Sequence, residues 1–82
     1  MLNNKEIKII KRAIVNADFT SVENIEIIAT DKNIVMSIDG IQEDTYTNKN
    51  DFLNMIIDGL RIGATETDKY HIKQLEELKI KN

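Results

Sequence analysis

His71 and Asp68 are the residues whose types and spacing come nearest to catalytic chemistry. His71 is the only histidine, and Asp68 precedes it by three positions, so one helical turn could bring the imidazole beside the carboxylate. A metal site needs three or four ligands, and no further ligand-rich cluster lies near this pair. A hydrolase triad also needs a nucleophile, but Ser21 and Ser37 occur in no nucleophile-elbow pattern. We therefore expect His71 to be a surface or partly packed side chain.

Other groups that could support catalysis or bind a cofactor are equally sparse. The chain has no cysteine, which excludes disulfides, thiolate metal sites and a cysteine nucleophile. Its three glycines are scattered and form no phosphate-binding loop. The acidic neighbours Glu43–Asp44 and Glu76–Glu77 would diverge on a strand or a helix, so neither is a natural acid–base pair. We expect no catalytic residue, no metal site and no cofactor, and hence a protein that is not an enzyme.

Length and composition limit the number of domains and the cellular compartment of the protein. The 82 residues are enough for one domain, 1–82, with a modest core. No apolar run approaches the roughly 18 residues of a membrane span. Charges occur throughout residues 1–17, which does not fit a signal peptide. We therefore expect a cytoplasmic protein with no membrane contact. The abundance of Ile, Asn and Lys is typical of an AT-rich genome, such as that of a bacterium or a phage.

The net charge of −3 conceals an uneven distribution. Residues 1–17 contain four basic residues and one acid, whereas residues 18–68 contain eleven acids and three bases. Residues 69–82 contain four lysines and two glutamates. An acidic centre thus lies between two basic ends, which bears on the choice of partner and not on the fold.

Hydrophobic periodicity predicts a helix followed by two hairpins. A helix over roughly 4–17, capped by Asn3 or Asn4, would present one apolar face, made of Ile7, Ile10, Ile14 and Ala17. Alternating residues then predict three strands, separated by a turn at 31–33 and by Asp39-Gly40. Asp-Gly between alternating runs is a strong hairpin signal, because both residues tolerate a positive φ.

Strand register follows from burial. Pairing Ala29 with Ile34 gives one face made of Ile25, Ile27, Ala29, Ile34, Met36, Ile38 and Ile41. A one-residue slip would send Ile25 and Ile27 to the other side, so burial selects this register. A two-residue loop then pairs Ile38 with Ile41 and Ile34 with Thr45. Beyond Ile41, the third strand would place Glu43 and Thr45 on the core-facing side. Two explanations stay open: acids that protect an exposed sheet edge, or acids that form a recognition surface.

Two helices complete the predicted chain. Asn48 or Asn50 would cap the second helix, whose buried stripe comprises Phe52, Leu53, Ile56, Ile57 and Leu60. The helix could end at Gly59, but Leu60 continues the stripe, so we prefer Gly63 as the C′ residue. Thr65-Glu66-Thr67-Asp68 has the pattern of a capping box, with Asp in place of Glu, and opens a third helix carrying Ile72, Leu75 and Leu78. The sequence thus predicts an α+β fold in the order α-β-β-β-α-α, with a three-stranded antiparallel β-meander packed against three helices.

This layout resembles that of small phage anti-CRISPR proteins that inhibit type II CRISPR nucleases. The resemblance covers the whole chain as element order and charge, without a shared motif, and the two basic ends depart from that group's pattern. It implies a stoichiometric inhibitor that competes for a cationic DNA-binding surface. We therefore expect a non-catalytic phage or mobile-element protein that binds a host defence protein with a basic surface. The expected protein-binding residues are Asp31, Asp39, Glu43, Asp44, Tyr46 and Asp51.

Two rival functions follow from other surfaces. A DNA-associated regulator would use Lys5, Lys8, Lys11 and Arg12 of the first helix, although the acidic balance and the absence of interleaved aromatic residues make direct nucleic-acid binding the weaker expectation. A homodimeric structural or adaptor protein would use the back of the sheet, where Ile28, Val35 and Tyr46 would form a small apolar patch. The sequence leaves open a monomer or such a homodimer.

Overall fold

The computed structural model describes residues 2–18, 21–63 and 65–80, without the side chains of Asp18, Glu43 and Asp44. The described residues form an α+β fold in the predicted order. Its elements are α1 (Asn4–Asp18), a 3₁₀ turn (Val22–Asn24), β1 (Ile25–Ala29), β2 (Ile34–Ile38), β3 (Ile41–Tyr46), α2 (Lys49–Gly63) and α3 (Glu66–Leu78). The strands form one antiparallel sheet in the order β1-β2-β3, so β3 is an edge strand.

Reciprocal hydrogen bonds fix the start of α1. The Glu6 amide donates to Asn3 Oδ1 over 2.8 Å, and the Asn3 amide donates to Glu6 Oε1 over 3.1 Å, which satisfies two otherwise unpaired amides. Lys49 Nζ contacts Glu6 Oε2 at 2.7 Å and ties α1 to the start of α2. Burial alone would raise the pKa of Glu6, but the bonds from Lys49 and Asn3 and the charge of Lys49 hold that pKa below its usual 4.5.

The first hairpin has the predicted register. Ala29 pairs with Ile34, and Ile25 pairs with Ile38. The second hairpin turns at Asp39-Gly40, whose φ angles are +53° and +80°. Two consecutive positive φ values define the turn that matches the right-handed twist of the flanking strands. The prediction of this turn is therefore confirmed.

A β-bulge overturns the predicted register beyond that turn. Ile38 pairs with Ile41 as expected, but Ile34 pairs with Tyr46 and not with Thr45. One extra residue of β3 therefore lies opposite Met36, and every later residue of β3 changes face. Thr45 pairs with Val35 on the back of the sheet, so its predicted core-facing position was wrong.

Tyr46 lies on the core side of the sheet as a result. Its ring packs against Phe52 at a centroid distance of 5.4 Å and an interplanar angle of 53°. The predicted position of Tyr46 on the back face was wrong, because a regular register would leave this aromatic ring in water. The bulge instead buries part of the ring against α2, and burial of aromatic area is favourable.

The molecule has two layers, helices on one side and the sheet on the other. Its extents of 34 × 34 × 20 Å match one sheet covered by one helical layer, since packed layers lie about 10 Å apart. The predicted α2 stripe is fully buried. The core comprises Leu2, Ile10, Ala13, Ile14, Ile25, Ile27, Ile34, Met36, Phe52, Leu53, Ile56, Ile57, Leu60 and Leu75. On the uncovered back face, Ile28 keeps 52 % of its surface exposed.

The two glycines of α2 have different environments. The helix continues through Gly59 and includes Gly63 as its last residue, with no left-handed conformation at either. The predicted C′ position of Gly63 was therefore wrong. Close approach explains this glycine instead, because a Cβ there would run into the carboxylate of Asp68. A Cβ at Gly59 would meet nothing within 4 Å.

The predicted capping box of α3 is confirmed. The Asp68 amide donates to Thr65 Oγ1, and the Thr65 amide donates to Asp68 Oδ2, both over 3.0 Å. Asp68 Oδ1 accepts a hydrogen bond from Asn16 Nδ2 of α1. The buried carboxylate therefore caps α3 and also joins it to α1.

Alanine at the two glycines of α2 should shift stability in opposite directions. Gly59→Ala should raise the free energy of unfolding by about 0.5–1 kcal/mol, because alanine has the better helix propensity and the added methyl group meets no neighbour. Gly63→Ala should lower it, because the new Cβ displaces the Asp68 carboxylate. Urea denaturation of both variants measures the two effects, and a stabilised Gly63→Ala would contradict this placement of Asp68.

Candidate functional site

The predicted acidic surface is divided between the two ends of the sheet. Asp31 lies in the β1–β2 turn and Asp39 in the β2–β3 turn, and consecutive turns of a meander lie at opposite ends. A five-residue strand separates them by about 17 Å. Asp51, in the first turn of α2, follows the β3 terminus at the Asp31 end. The structure therefore does not bring Asp31, Asp39 and Asp51 together.

The Asp31 end has mixed charge. A cleft of about 330 Å³ there is lined by Asp31 and also by Lys32 and Lys49. Asn50 closes one side of this cleft by exchanging hydrogen bonds of 3.1 and 2.9 Å with the backbone of Ile80. Because one acid and two bases line this cleft, its charge has no single sign with which to select a partner.

Two other predicted site residues lie on the bulged part of β3. Glu43 and Asp44 occupy the backbone positions opposite Met36, and their side chains lie outside the described residues. Their strand is an edge, and bulges and charges both discourage pairing of an exposed edge with another chain. Tyr46 is half-buried and packs against the core from the end of the same strand.

The end of the sheet that contains Asp39 has a surface whose charges are all negative. Glu23 of the 3₁₀ turn, Glu26 of β1 and Asp39 of the β2–β3 turn are exposed and line a cleft of about 450 Å³. Asn24, Ser37 and Gly40 complete its lining, which includes no basic residue of the described chain. We name these six residues the acidic cleft.

Strand pairing positions the three carboxylates. The Asp39 amide donates to the Asn24 carbonyl over 2.9 Å, so the 3₁₀ turn is joined to the β2–β3 turn one step beyond the paired strands. Glu26 lies opposite Ser37 on the uncovered back face. Sequence reasoning missed Glu23 and Glu26 as site residues. The register that pairs Ile25 with Ile38 already placed both beside Asp39, and that signal could have identified them.

This geometry suits an extended cationic surface better than a single ion. Within the described part of the chain, no group of three His, Asp or Glu side chains is placed to hold one metal ion. Carboxylates spread over a cleft can each accept charge-assisted hydrogen bonds from arginine or lysine. The exposed side chain of Ile41, with 68 % of its surface accessible, follows Gly40 directly and adds an apolar contact at the same end.

Within the His71–Asp68 pair, Asp68 has a structural role in this fold. Both carboxylate oxygens of Asp68 accept hydrogen bonds, from Thr65 and Asn16, and neither bond comes from His71. The His71 ring packs edge-on against Tyr70 at 5.5 Å, and its buried Nδ1 has no hydrogen-bond partner among the described residues. No hydrogen bond among the described residues joins His71 to Asp68.

The pH dependence of stability should show whether the Asp68 carboxylate is ionised in the fold. Hydrogen bonds from the Thr65 amide and hydroxyl, aided by Asn16 and the charge of His71, hold its pKa below the usual 3.8 despite burial. A carboxylate with a lowered pKa stabilises the fold above 3.8, and this contribution is lost as pH falls through the folded-state pKa.

We therefore expect Asp68→Asn to be less stable than wild type at pH 7, with a difference that shrinks near pH 3. Thermal melts of both proteins across this pH range provide the measurement. A difference that stays constant from pH 7 to about pH 2.5 would contradict an ionised capping carboxylate.

Among the described residues, no helix has the length and apolar character needed to cross a membrane. A scan against protein-family models found no match, and searches of the curated proteins and of the solved structures found no significant match to this chain.

Proposed function

We propose that this chain is a non-catalytic binding protein whose acidic cleft docks onto a basic surface of another protein. One observation carries the proposal. Three exposed carboxylates, contributed by the 3₁₀ turn, by β1 and by the β2–β3 turn, line one cleft that includes no basic residue of the described chain. Complementary charge steers association and rejects partners of like charge, so a cationic protein surface is the occupant that fits.

The expected class of partner follows from the usual function of basic protein surfaces, which is to bind nucleic acid. Proteins that bind nucleic acid present lysine and arginine to phosphate groups. A small acidic protein that covers such a surface acts as a competitive inhibitor without catalysing a reaction. The layout resembles that of small phage anti-CRISPR proteins that inhibit type II CRISPR nucleases. A phage or mobile-element inhibitor of a host defence nuclease is therefore the first case to test.

Capture from a host lysate tests the proposal with matched variants. We expect Glu23→Lys with Glu26→Lys to lose the partner that the wild type retains at about 0.15 M salt, because like-charge contacts at an interface cost several kcal/mol. The matched control is Asp58→Lys with Glu77→Lys, which makes the same charge change at two exposed positions of the helical layer. Equal loss from both variants would show that only the overall charge matters.

The captured protein must also satisfy a chemical criterion. We expect it to bind nucleic acid, and excess duplex DNA to displace it from the wild-type chain. A captured protein that DNA does not displace would contradict competition for a nucleic-acid-binding surface.

A third variant addresses the bulged edge. Glu43→Lys with Asp44→Lys should still fold, since surface substitutions usually change stability by no more than about 0.5 kcal/mol. We expect it to lose the partner, which would extend the recognition surface along β3. Full retention of the partner would assign these two acids to edge protection alone.

A further inference from the structure

A groove of the opposite charge lies on the exposed face of α1. Lys8, Lys11 and Arg12 line it together with Asn4, Ile7 and Val22, and its volume is about 590 Å³. None of the three cations forms an ion pair with a carboxylate that the structure describes. The same holds for Lys5, Lys32 and Lys73, whereas Lys49, Arg61, Lys69 and Lys79 are paired. We name the six lining residues the basic groove.

The basic groove adjoins the acidic cleft across a single turn. Val22 lines the groove, while Glu23 and Asn24, the next residues of the same 3₁₀ turn, line the cleft. Val22 itself keeps 43 % of its surface exposed. An apolar side chain therefore lies between three cations and three carboxylates.

We propose that the basic groove is the docking site for a second copy of this chain, which enters it with its acidic cleft. A two-fold axis beside Val22 would pair groove with cleft twice, because an isologous interface repeats each contact in the opposite direction. Three cations would then face three carboxylates in each half, with the two Val22 side chains near the axis. This inference stands whether or not a different cationic protein also binds the cleft.

The adjacent acidic cleft also argues against nucleic acid as the occupant. A duplex carries a charge about every 1.7 Å along its axis, so a phosphate backbone that crossed the 3₁₀ turn would bring several charges to the acidic cleft. There it would meet Glu23, Glu26 and Asp39, which repel it. A second copy places positive charge at that point instead.

The interface should be weak and dependent on salt. Even a small specific interface needs on the order of 600 Å² from each partner, about a ninth of the 5463 Å² surface of this chain. Much of the attraction comes from exposed charges, whose interaction range falls from about 10 Å at 0.1 M salt to about 3 Å at 1 M. The dimer should therefore form at low salt and dissociate at 1 M.

Sedimentation of the purified chain with a charge-swapped pair of variants tests the proposal. At low salt we expect the wild type to have twice the 9.4 kDa chain mass at high concentration, and one chain mass in 1 M salt. Lys8→Glu with Arg12→Glu should be monomeric, as should Glu23→Lys with Glu26→Lys, because each self-pairing opposes like charges. Mixed one to one, the two variants should form a heterodimer, since both groove–cleft contacts become attractive again.

The control is Lys69→Glu with Lys73→Glu, which reverses two exposed charges on α3 and should still dimerise. Thermal melts establish that each variant is folded, and the salt series on the wild type requires no variant.

A wild type that stays monomeric at low salt overturns the inference, as does a mixture of the two variants that forms no heterodimer. Salt-sensitive binding of random duplex DNA that Lys8→Glu with Arg12→Glu abolishes would assign the groove to nucleic acid instead. The sedimentation experiment contains only the purified chain. The oligomeric state that it reports is therefore independent of whether a cationic partner is captured from a lysate.

Discussion

Replacing Phe52 with alanine should lower the free energy of unfolding by about 3–5 kcal/mol, the usual cost of removing a buried aromatic ring. Phe52 is fully buried in α2 and supports Tyr46 at the end of β3. A chain of this length has a stability of roughly 4–12 kcal/mol, so the variant should lose a large fraction of it. Urea denaturation followed by circular dichroism measures the change.

The matched control lies on the same helix. Ile62 keeps 87 % of its surface exposed, so Ile62→Ala should change stability by no more than about 0.5 kcal/mol. A Phe52→Ala variant that loses less than about 1 kcal/mol would mean that the ring does not hold α2 against the bulged end of β3.

Gly40→Val should cost about 1–3 kcal/mol, the second-largest of the expected effects. The φ of Gly40 is +80°, where a β-branched residue is strained, and a Cβ there would meet no atom within 4 Å. The loss should therefore come from backbone conformation and not from a steric clash. Thermal and urea denaturation provide the measurement.

Asparagine separates these two causes at position 40. Asn adopts positive φ more readily than other residues with a side chain, so Gly40→Asn should cost clearly less than Gly40→Val. Equal losses in the two variants would indicate that the site rejects any side chain, which the open space around Gly40 contradicts.

Local signals predicted most of this fold. Asp39-Gly40 specified its turn because few residue pairs accept two positive φ values, and Thr65 with Asp68 specified a capping box because both side chains bond to nearby amides. The first hairpin followed from the burial of Ile25 and Ile27 on one face. Each of these features depends on residues that are close in sequence or that share one face.

The errors concern features decided by distant contacts. The bulge in β3 depends on packing between Tyr46 and Phe52. The predicted register was obtained by counting residue pairs from the Asp39-Gly40 turn, and such counting does not include this contact. Tyr46 is the only aromatic residue of its strand, and burying it required one extra residue. Glycine is required at position 63 because the Asp68 carboxylate of α3 lies close to it. The capping pattern at the end of α2 gives no information about that contact.

The candidate site was predicted only in part. Asp39 was identified, but it was grouped with Asp31 and Asp51 on the basis of charge in the sequence. Meander topology places those residues at the other end of the sheet. Glu23 and Glu26 become part of the site through the pairing of β1 with β2, which is a property of the fold.

Site-specific photocross-linking is the most direct test of the proposed docking of the acidic cleft. A photoreactive amino acid at Ile41, beside the cleft, is compared with one at Lys32, an exposed position in the turn at the opposite end of the sheet. Both chains are incubated with the captured cationic protein at about 0.15 M salt. We predict a covalent product from position 41 and none from position 32, whereas cross-linking from position 32 alone, or equally from both, would contradict binding at the acidic cleft.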